Sequence, residues 1–541
     1  MASDDDIDPG SGPDPAIDMD RATMPVTPLP GWLAVVLVFG TSAAVLVLEI
    51  LAGRLLAPYV GVSLETFTGI IGTILAGIAV GAWAGGVAAD HIDPRRLLPV
   101  LLVLGGALAI ATIPIVRVLG DSGGTGGGIR ILVLTAFGFL PSATVLSAVP
   151  PAVIKLQLRD LASTGATVGR LSAWSTAGAL FGTFFTGFVL VSTASVTTLI
   201  IAVGIALIVA GIAQFVADRL AGRPSAGGGA ATELLGVGGL AAVSLLGAVL
   251  VDSPCETQTA YYCLSVIEDP ELESGRTLLL DDLRHSYVDL DDPTLLEFWY
   301  IRRIVDAIET NAGGEDDVSA DPIDAVYLGG GAFTVPRYIR EVRPGSDQTI
   351  LEIDGDLVDV VENQIDFDRG APGSPDAVEI VVGDGRLSLA DISSDSADVV
   401  VGDAFGSRAV PFHLATEEFL TDVDRVVRPE GVYVANIIDG SRQDFLRAET
   451  ATIAAVFDHV ALFRGPGIVQ GRNGNSVVVA SQSPLDVESL SRRLAADVDP
   501  STPSDDVGDL LTGDRLTTYL EGATVLTDDF APVDQLIAGS T

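Results

Sequence analysis

The sequence predicts two dissimilar parts: a multi-pass α-helical membrane domain of about seven spans, then an α/β domain around a mostly parallel sheet, with a small β-sheet at its start. Three observations predict this. The 541-residue chain is 48% hydrophobic yet carries a net charge of −41, and the two properties occupy different segments. Residues 21–252 hold nine acids and eleven bases along seven apolar runs, whereas residues 253–541 hold 55 acids and 19 bases. From residue 259 onward, short β-type segments alternate with amphipathic helices, as βαβ units do.

The same numbers exclude a uniformly disordered acidic chain, which would lack the apolar residues. They also exclude nucleic acid as a partner, because phosphate binding needs a basic face. Lys155 is the only lysine among 30 basic residues. An acidic surface nearly free of lysine is the expected surface of an extreme halophile. Its carboxylates hold water and cations, while salt screens their repulsion to a range of ~3 Å at 1 M.

Residues 1–28 are rich in Asp, Pro, Gly and Ser and read as a disordered acidic tail without a signal-peptide pattern. The membrane domain follows at 29–252. Its apolar runs lie at about 31–53, 66–88, 97–118, 131–153, 171–191, 196–217 and 234–251, each near the ~20 residues that cross a bilayer core. The lipid bilayer is therefore the first expected partner. An odd number of spans puts the two chain ends on opposite sides. Eight bases flank one side and three the other, so the positive-inside rule makes the C-terminal domain extracytoplasmic.

Within the spans, Gly77, Gly81 and Gly85, and Gly178 with Gly182, have the spacing of closely packed helices. Glu49 is a carboxylate inside the first span. Such a group is costly in lipid, which makes Glu49 a candidate catalytic residue with Arg54 or a water-filled cleft as its partner. A structural ion pair at the interface is the alternative. Cys255 and Cys263, the only cysteines, follow the last span. An extracytoplasmic position permits a disulfide between them, with packed thiols as the alternative.

In residues 253–310, Tyr261–Ile267, Arg276–Leu280 and His285–Leu290 read as a small antiparallel sheet ahead of a connecting helix. In 311–541, strands are expected at Ala325–Leu328, Thr349–Ile353, Val378–Val382, Ala397–Val401 and Val432–Ile437, and near 459–463 and 476–480. Helices are expected at 333–342, 356–366 and 414–427. The first βα turn, Gly329-Gly330-Gly331, lets a nucleoside approach backbone N–H groups at a helix start. The second strand ends with Glu352 and Asp354, where an acid accepts from ribose hydroxyls. The third strand ends Gly383-Asp384-Gly385 and the fourth at Asp403. Acids closing successive strands share one sheet edge, so together they predict a nucleoside pocket. His413 follows the Asp403 loop and is a candidate acid or base, and His285 lies near a strand end. The four histidines lack metal-ligand spacing, so no metal is expected.

The run Val326–Glu341, with Leu351–Asp354, Gly383–Gly385 and Asp403–Phe419, resembles the spermidine synthase family, whose fold is the Rossmann-like fold of class I methyltransferases. Leu48–Gly61, Gly169–Gly187 and Leu526–Val533 resemble its branch fused to a multi-pass membrane protein, of haloarchaeal type. The resemblance implies an adenosyl donor, S-adenosylmethionine or its decarboxylated relative, with Glu352 on the ribose and Asp384 on the adenine. It also implies Asp403 as acceptor of the attacking amine's proton.

The resemblance further implies losses. The family's Asp that holds the aminopropyl ammonium is Ala332 here, and a second Asp after the catalytic one is Gly406. The Tyr-Gln pair reads Tyr261-Tyr262, and the Tyr-His-Glu motif reads Tyr300-Ile301-Arg302. Fewer anions and an added Arg302 disfavour a polyamine in a buried site. The expectation is therefore a membrane-bound transferase other than a true spermidine synthase. Two alternatives stand beside it: an extracytoplasmic transferase acting on membrane lipids or on secreted or lipid-anchored proteins, and a non-catalytic scaffold.

Overall fold

The computed structural model describes residues 28–121, 128–158, 164–221, 228–312, 321–371, 373–374, 377–405, 410–496 and 507–538. The acidic tail up to residue 27 and Gly406 lie outside the described residues.

The apolar runs form helices α1 (Gly31–Val60), α2 (Leu64–His91), α3 (Pro94–Asp121), α4 (Gly128–Gly138), α5 (Leu140–Ser147), α6 (Val149–Gln157) and α7 (Thr164–Phe185). A π-helical turn, Thr186–Leu190, extends α7, and α8 (Val196–Leu220) and α9 (Gly228–Leu250) complete the set. Among the described residues, α1, α2, α3, α7 with its π turn, and α8 are each long and apolar enough to cross a bilayer. The fourth expected span is not one helix. It bends by 44° between Gly138 and Leu140 and breaks again before α6, where Pro141, Pro150 and Pro151 lack the amide protons a continuous helix needs. Counted as one bent span, it brings the number to six. The seventh run falls on α9, whose described apolar stretch, Gly236–Leu250, is shorter than the others.

The small-residue spacing shows its purpose in the packing. A Cβ at Gly178 would lie 2.2 Å from the Phe39 carbonyl oxygen, and one at Gly182 would lie 2.5 Å from that of Ala43. Thus α7 rests backbone to backbone on α1. Gly81 and Gly85 bring α2 equally close to the backbone at Thr144 and Ala148. Between α3 and α8, Arg95 and Asp218 form a buried ion pair at 2.7 Å. Gln214 donates to the other Asp218 oxygen at 2.9 Å, so the buried carboxylate is compensated on both sides.

The soluble half begins with a four-stranded antiparallel sheet in sequence order, β1 (Thr257–Gln258), β2 (Cys263–Glu268), β3 (Gly275–Leu280) and β4 (Leu283–Asp289). Helix α10 (Trp299–Asn311) follows and packs against the larger sheet. That sheet contains β5 (Asp324–Leu328), β6 (Asp347–Glu352), β7 (Val378–Val382), β8 (Ala397–Gly402), β9 (Val427–Asp439), β10 (His459–Arg464), β11 (Gly474–Ser481) and β12 (Asp509–Leu511). Its order is β12-β10-β11-β9-β8-β5-β6-β7. Strands β7, β6, β5, β8 and β9 are parallel, and the other three add antiparallel.

Helices α11 (Thr334–Val342), α12 (Gly355–Gln364), α13 (Gly385–Leu389), α14 (Glu417–Val426) and α15 (Asp444–Val456) connect these strands. Covered on both faces, the central strands are continuous apolar runs such as Val399–Val401. The chain runs outward in both directions from β5 and β8. The crevice at their carboxyl ends is the place where such sheets bind ligands.

Candidate functional site

A cavity of about 160 Å³ opens at the carboxyl ends of β5, β6 and β8. The glycine turn after β5 forms one wall. Gly329 has φ +86°, and a Cβ there would lie 2.6 Å from the Asp403 carbonyl oxygen. Gly331 has φ +53°, and its Cβ would lie 2.6 Å from the Ser286 hydroxyl. Only glycine meets both demands, so the turn brings the ends of β5, β8 and β4 together.

Glu352, buried at the end of β6, anchors this turn. Its Oε2 accepts from the Gly330 N–H at 2.8 Å and its Oε1 from the Asp354 N–H at 2.9 Å. Burial raises its pKa, against the pull of those two N–H groups. Asp354 caps α12 through the Asp356 and Leu357 N–H groups and accepts a hydrogen bond from the Thr259 hydroxyl.

Asp384 caps α13, with the Leu387 N–H 3.1 Å from its Oδ1. Its Oδ2 lies 3.0 Å from His413 Nε2. His413 therefore pairs with Asp384 across the cavity, not with Asp403. Gly385 lines the cavity beside them.

Asp403 follows β8. Its Oδ1 accepts from Asn436 Nδ2 at 2.7 Å, and Asn436 Oδ1 in turn accepts from Asn475 at 3.0 Å. Burial pushes the Asp403 carboxyl up to about 6, and the Asn436 bond holds it from going higher. A carboxylate tuned to that range and lining a cavity is suited to take a proton near neutral pH.

Two contributors were not assigned to the site from the sequence. His285, on β4, lines the cavity, and burial pushes it down to about 4, so it is a neutral imidazole near pH 7. Asn436 is the other. Its signal was a lone amide in Val432–Ile437, an otherwise apolar strand, where a buried polar group demands a partner.

Three expectations need correction. Glu49 does not line this cavity, and it has no hydrogen-bond or ion-pair partner among the described residues. Arg54 is not its partner either. Five residues on a helix separate side chains by about 140°, and Arg54 donates instead to the Thr259 carbonyl. Arg302 turns to the Leu296 and Glu297 carbonyls, at 3.0 and 2.9 Å, and adds no charge to the cavity.

Cys255 and Cys263 are joined by a disulfide. Among the described residues no group of three His, Cys, Asp or Glu side chains is placed to hold a metal.

No family model matches the chain. It is 29% identical over 218 residues to the polyamine aminopropyltransferase of Vibrio vulnificus, covering 39% of this chain and 68% of that one. The chain is spermidine synthase-like. The probable polyamine aminopropyl transferase of Bifidobacterium longum is 27% identical over 228 residues, 39% of this chain and 48% of its own length. The polyamine aminopropyltransferase of Chromobacterium violaceum is 30% identical over 158 residues, and the match covers 56% of that relative. Among solved structures, a probable spermidine synthase from Corynebacterium glutamicum shares 25% identity. That match covers 52% of this chain and 99% of the other, with a TM-score of 0.45. In this spermidine synthase-like chain, Ala332 is buried and its N–H donates to the Ser286 hydroxyl at 3.2 Å.

Proposed function

We propose that the chain is a membrane-bound transferase that binds an adenosyl-type donor, S-adenosylmethionine or a decarboxylated relative, in the cavity at the carboxyl ends of β5, β6 and β8. One observation carries this reading. The glycine turn and the acids Glu352, Asp384 and Asp403, which close four different strands, all line the same cavity.

The residues divide the work. Gly329–Gly331 allow the donor to lie against backbone, Glu352 accepts from ribose hydroxyls, and Asp384, held by His413, accepts at the base. Bound there, the donor would supply a carbon made electrophilic by its sulfonium. Asp403, oriented by Asn436, takes the proton of the attacking nucleophile as that nucleophile bonds to carbon; the carbon–sulfur bond would break in the same displacement, with a neutral thioether as the leaving group. Ala332 stands where the resemblance implies an aspartate, and the acids that do line the cavity, Glu352, Asp384 and Asp403, are taken up by the donor and the base role, which supports an acceptor other than a polyamine. The disulfide supports an extracytoplasmic soluble domain. On that side, membrane lipids and secreted or lipid-anchored proteins are the available acceptors.

Calorimetric titration of the full chain in detergent with S-adenosylmethionine, decarboxylated S-adenosylmethionine and methylthioadenosine tests the reading. Saturable binding of at least one is expected, weakened in Glu352→Gln. No binding of any of the three overturns the donor assignment and leaves the scaffold alternative.

A further inference from the structure

Apolar side chains on the soluble domain gather at one place. The described soluble residues expose nine large apolar side chains. Five of these border the cavity mouth: Tyr261 lines it, Val382, Leu387 and Phe412 lie within two residues of the lining groups Asp384, Gly385 and His413, and Phe530 lies two residues from Asp528, the partner of Arg386. A hydrogen-bonded network ties the rim together. Asp384, two residues after Val382, accepts from the Leu387 N–H and pairs with His413, the neighbour of Phe412. Arg386 donates to the His413 carbonyl at 3.1 Å and to Asp528 at 2.7 and 2.8 Å, two residues before Phe530. Tyr261 lines the same cavity as Asp384 and His413.

The exposures are large: 74% for Leu387, 57% for Phe412 and 46% for Tyr261. A domain with 55 acids and 19 bases has no shortage of polar residues for these positions. A cluster of exposed apolar side chains at one cavity mouth marks an interaction surface. Two carboxylates beside these residues are partnered, Asp384 with His413 and Asp528 with Arg386, while Asp529 beside Phe530 is exposed to the aqueous side.

The structure also says what lies next to the rim. Two residues before Tyr261, the Thr259 carbonyl accepts from Arg54, beyond the apolar run of α1. One edge of the cavity is thereby fixed to the end of a membrane-crossing helix. Aromatic and aliphatic side chains held at that level are the composition of a bilayer interface.

We propose that this rim lies in the headgroup layer of the bilayer, and that the cavity receives its acceptor from the membrane as an amphiphile. The acceptor's polar nucleophile reaches Asp403 while its apolar part stays in lipid. The placement of the rim stands on the geometry above, and the acceptor class rests on the transferase reading.

Spin labels on single introduced cysteines test the placement, since both native cysteines are consumed in the disulfide. Leu387→Cys and Phe412→Cys are compared with Ser483→Cys, which bonds the Pro429 carbonyl near the opposite end of the sheet. The full chain is reconstituted in vesicles of phosphatidylcholine and phosphatidylglycerol. The expected result is a several-fold higher ratio of oxygen to nickel-chelate accessibility at Leu387 and Phe412 than at Ser483. Equal ratios at all three positions overturn the proposal. Spin–spin broadening between rim labels at low protein-to-lipid ratio also overturns it, because a second copy then covers the rim. Lipid-exposed labels on a chain that binds none of the three adenosyl compounds uphold the placement and overturn the acceptor class.

Discussion

Arg54, six residues before the end of α1, donates a hydrogen bond to the backbone carbonyl of Thr259 in the soluble domain. The Thr259 hydroxyl donates to Asp354, and the Asp354 N–H donates to Glu352, which holds the Gly330 N–H. A chain of four hydrogen bonds thus runs from a helix long and apolar enough to cross a bilayer to the turn against which a nucleoside would rest. Asp281 and Asp354 both lie within electrostatic reach of the Arg54 guanidinium.

Removing Arg54 takes the positive charge away from those carboxylates and releases the Thr259 carbonyl. In Arg54→Ala, methylthioadenosine affinity is expected to fall about tenfold, equivalent to roughly 1.4 kcal/mol, as read by titration calorimetry of the full chain. Arg54→Lys keeps the charge and is expected to recover most of the loss. Unchanged affinity in both variants would show that the helix contact does not order the pocket.

The base role of Asp403 fixes a pH dependence. Its carboxyl is pushed up to about 6 by burial, so the proton-accepting form grows as pH rises through that value. Once a transfer reaction is measured, its rate is expected to climb with a midpoint near pH 6. Asp403→Asn is expected to lose on the order of 10²- to 10⁴-fold. The Asn436 bond favours the ionised form, so Asn436→Ala is expected to move the midpoint upward. A midpoint that stays in place would exclude Asn436 from tuning the base.

Asp281 governs stability in the same range. Its carboxyl is pushed up to about 6 by burial, opposed by the Cys263 N–H bond and by Arg54. A raised acid binds its proton more tightly in the folded state. Its contribution is therefore complete below the ordinary Asp range and is lost as pH rises through about 6. In the wild type this loss is on the order of 3 kcal/mol between pH 4 and 7. Asp281→Asn is the informative variant, because Asn also tolerates the φ of 53° found at this position. Denaturant unfolding of the variant is expected to show a flatter pH profile than the wild type over that interval. Parallel profiles would refute the assignment.

The sequence carried the cavity walls more fully than the contacts between them. Gly329–Gly331, Glu352, Asp384 and Asp403 were legible because strand ends in an open parallel sheet share one edge, whatever the rest of the chain does. The partner of His413 was not legible. The sequence placed His413 after the Asp403 loop without a partner, and the structure sets its Nε2 3.0 Å from Asp384. Arg54 was read against Glu49 because they are close in sequence, yet its partner lies 205 residues away. The break in the fourth span was visible as Pro141, Pro150 and Pro151, but mean hydropathy over the run concealed it.

The Cys255–Cys263 disulfide makes the side of the membrane testable. Their separation of eight residues closes a short loop next to the last apolar helix, and such a closure stabilises by roughly 2–3 kcal/mol in the chain-entropy account. That bond persists only where the compartment is oxidising. Alkylation of denatured protein taken directly from cells is expected to leave both thiols unmodified unless reductant is added first. Protease added to intact cells is expected to degrade the soluble domain while the spans remain. The two measurements must agree. Full protease protection together with free thiols would place the domain in the cytoplasm, which seven spans with the basic side inside would not allow, so one apolar run would then not cross. The short α9 stretch Gly236–Leu250 or the bent α4–α6 segment would be that run, and the extracytoplasmic acceptors would fall with it.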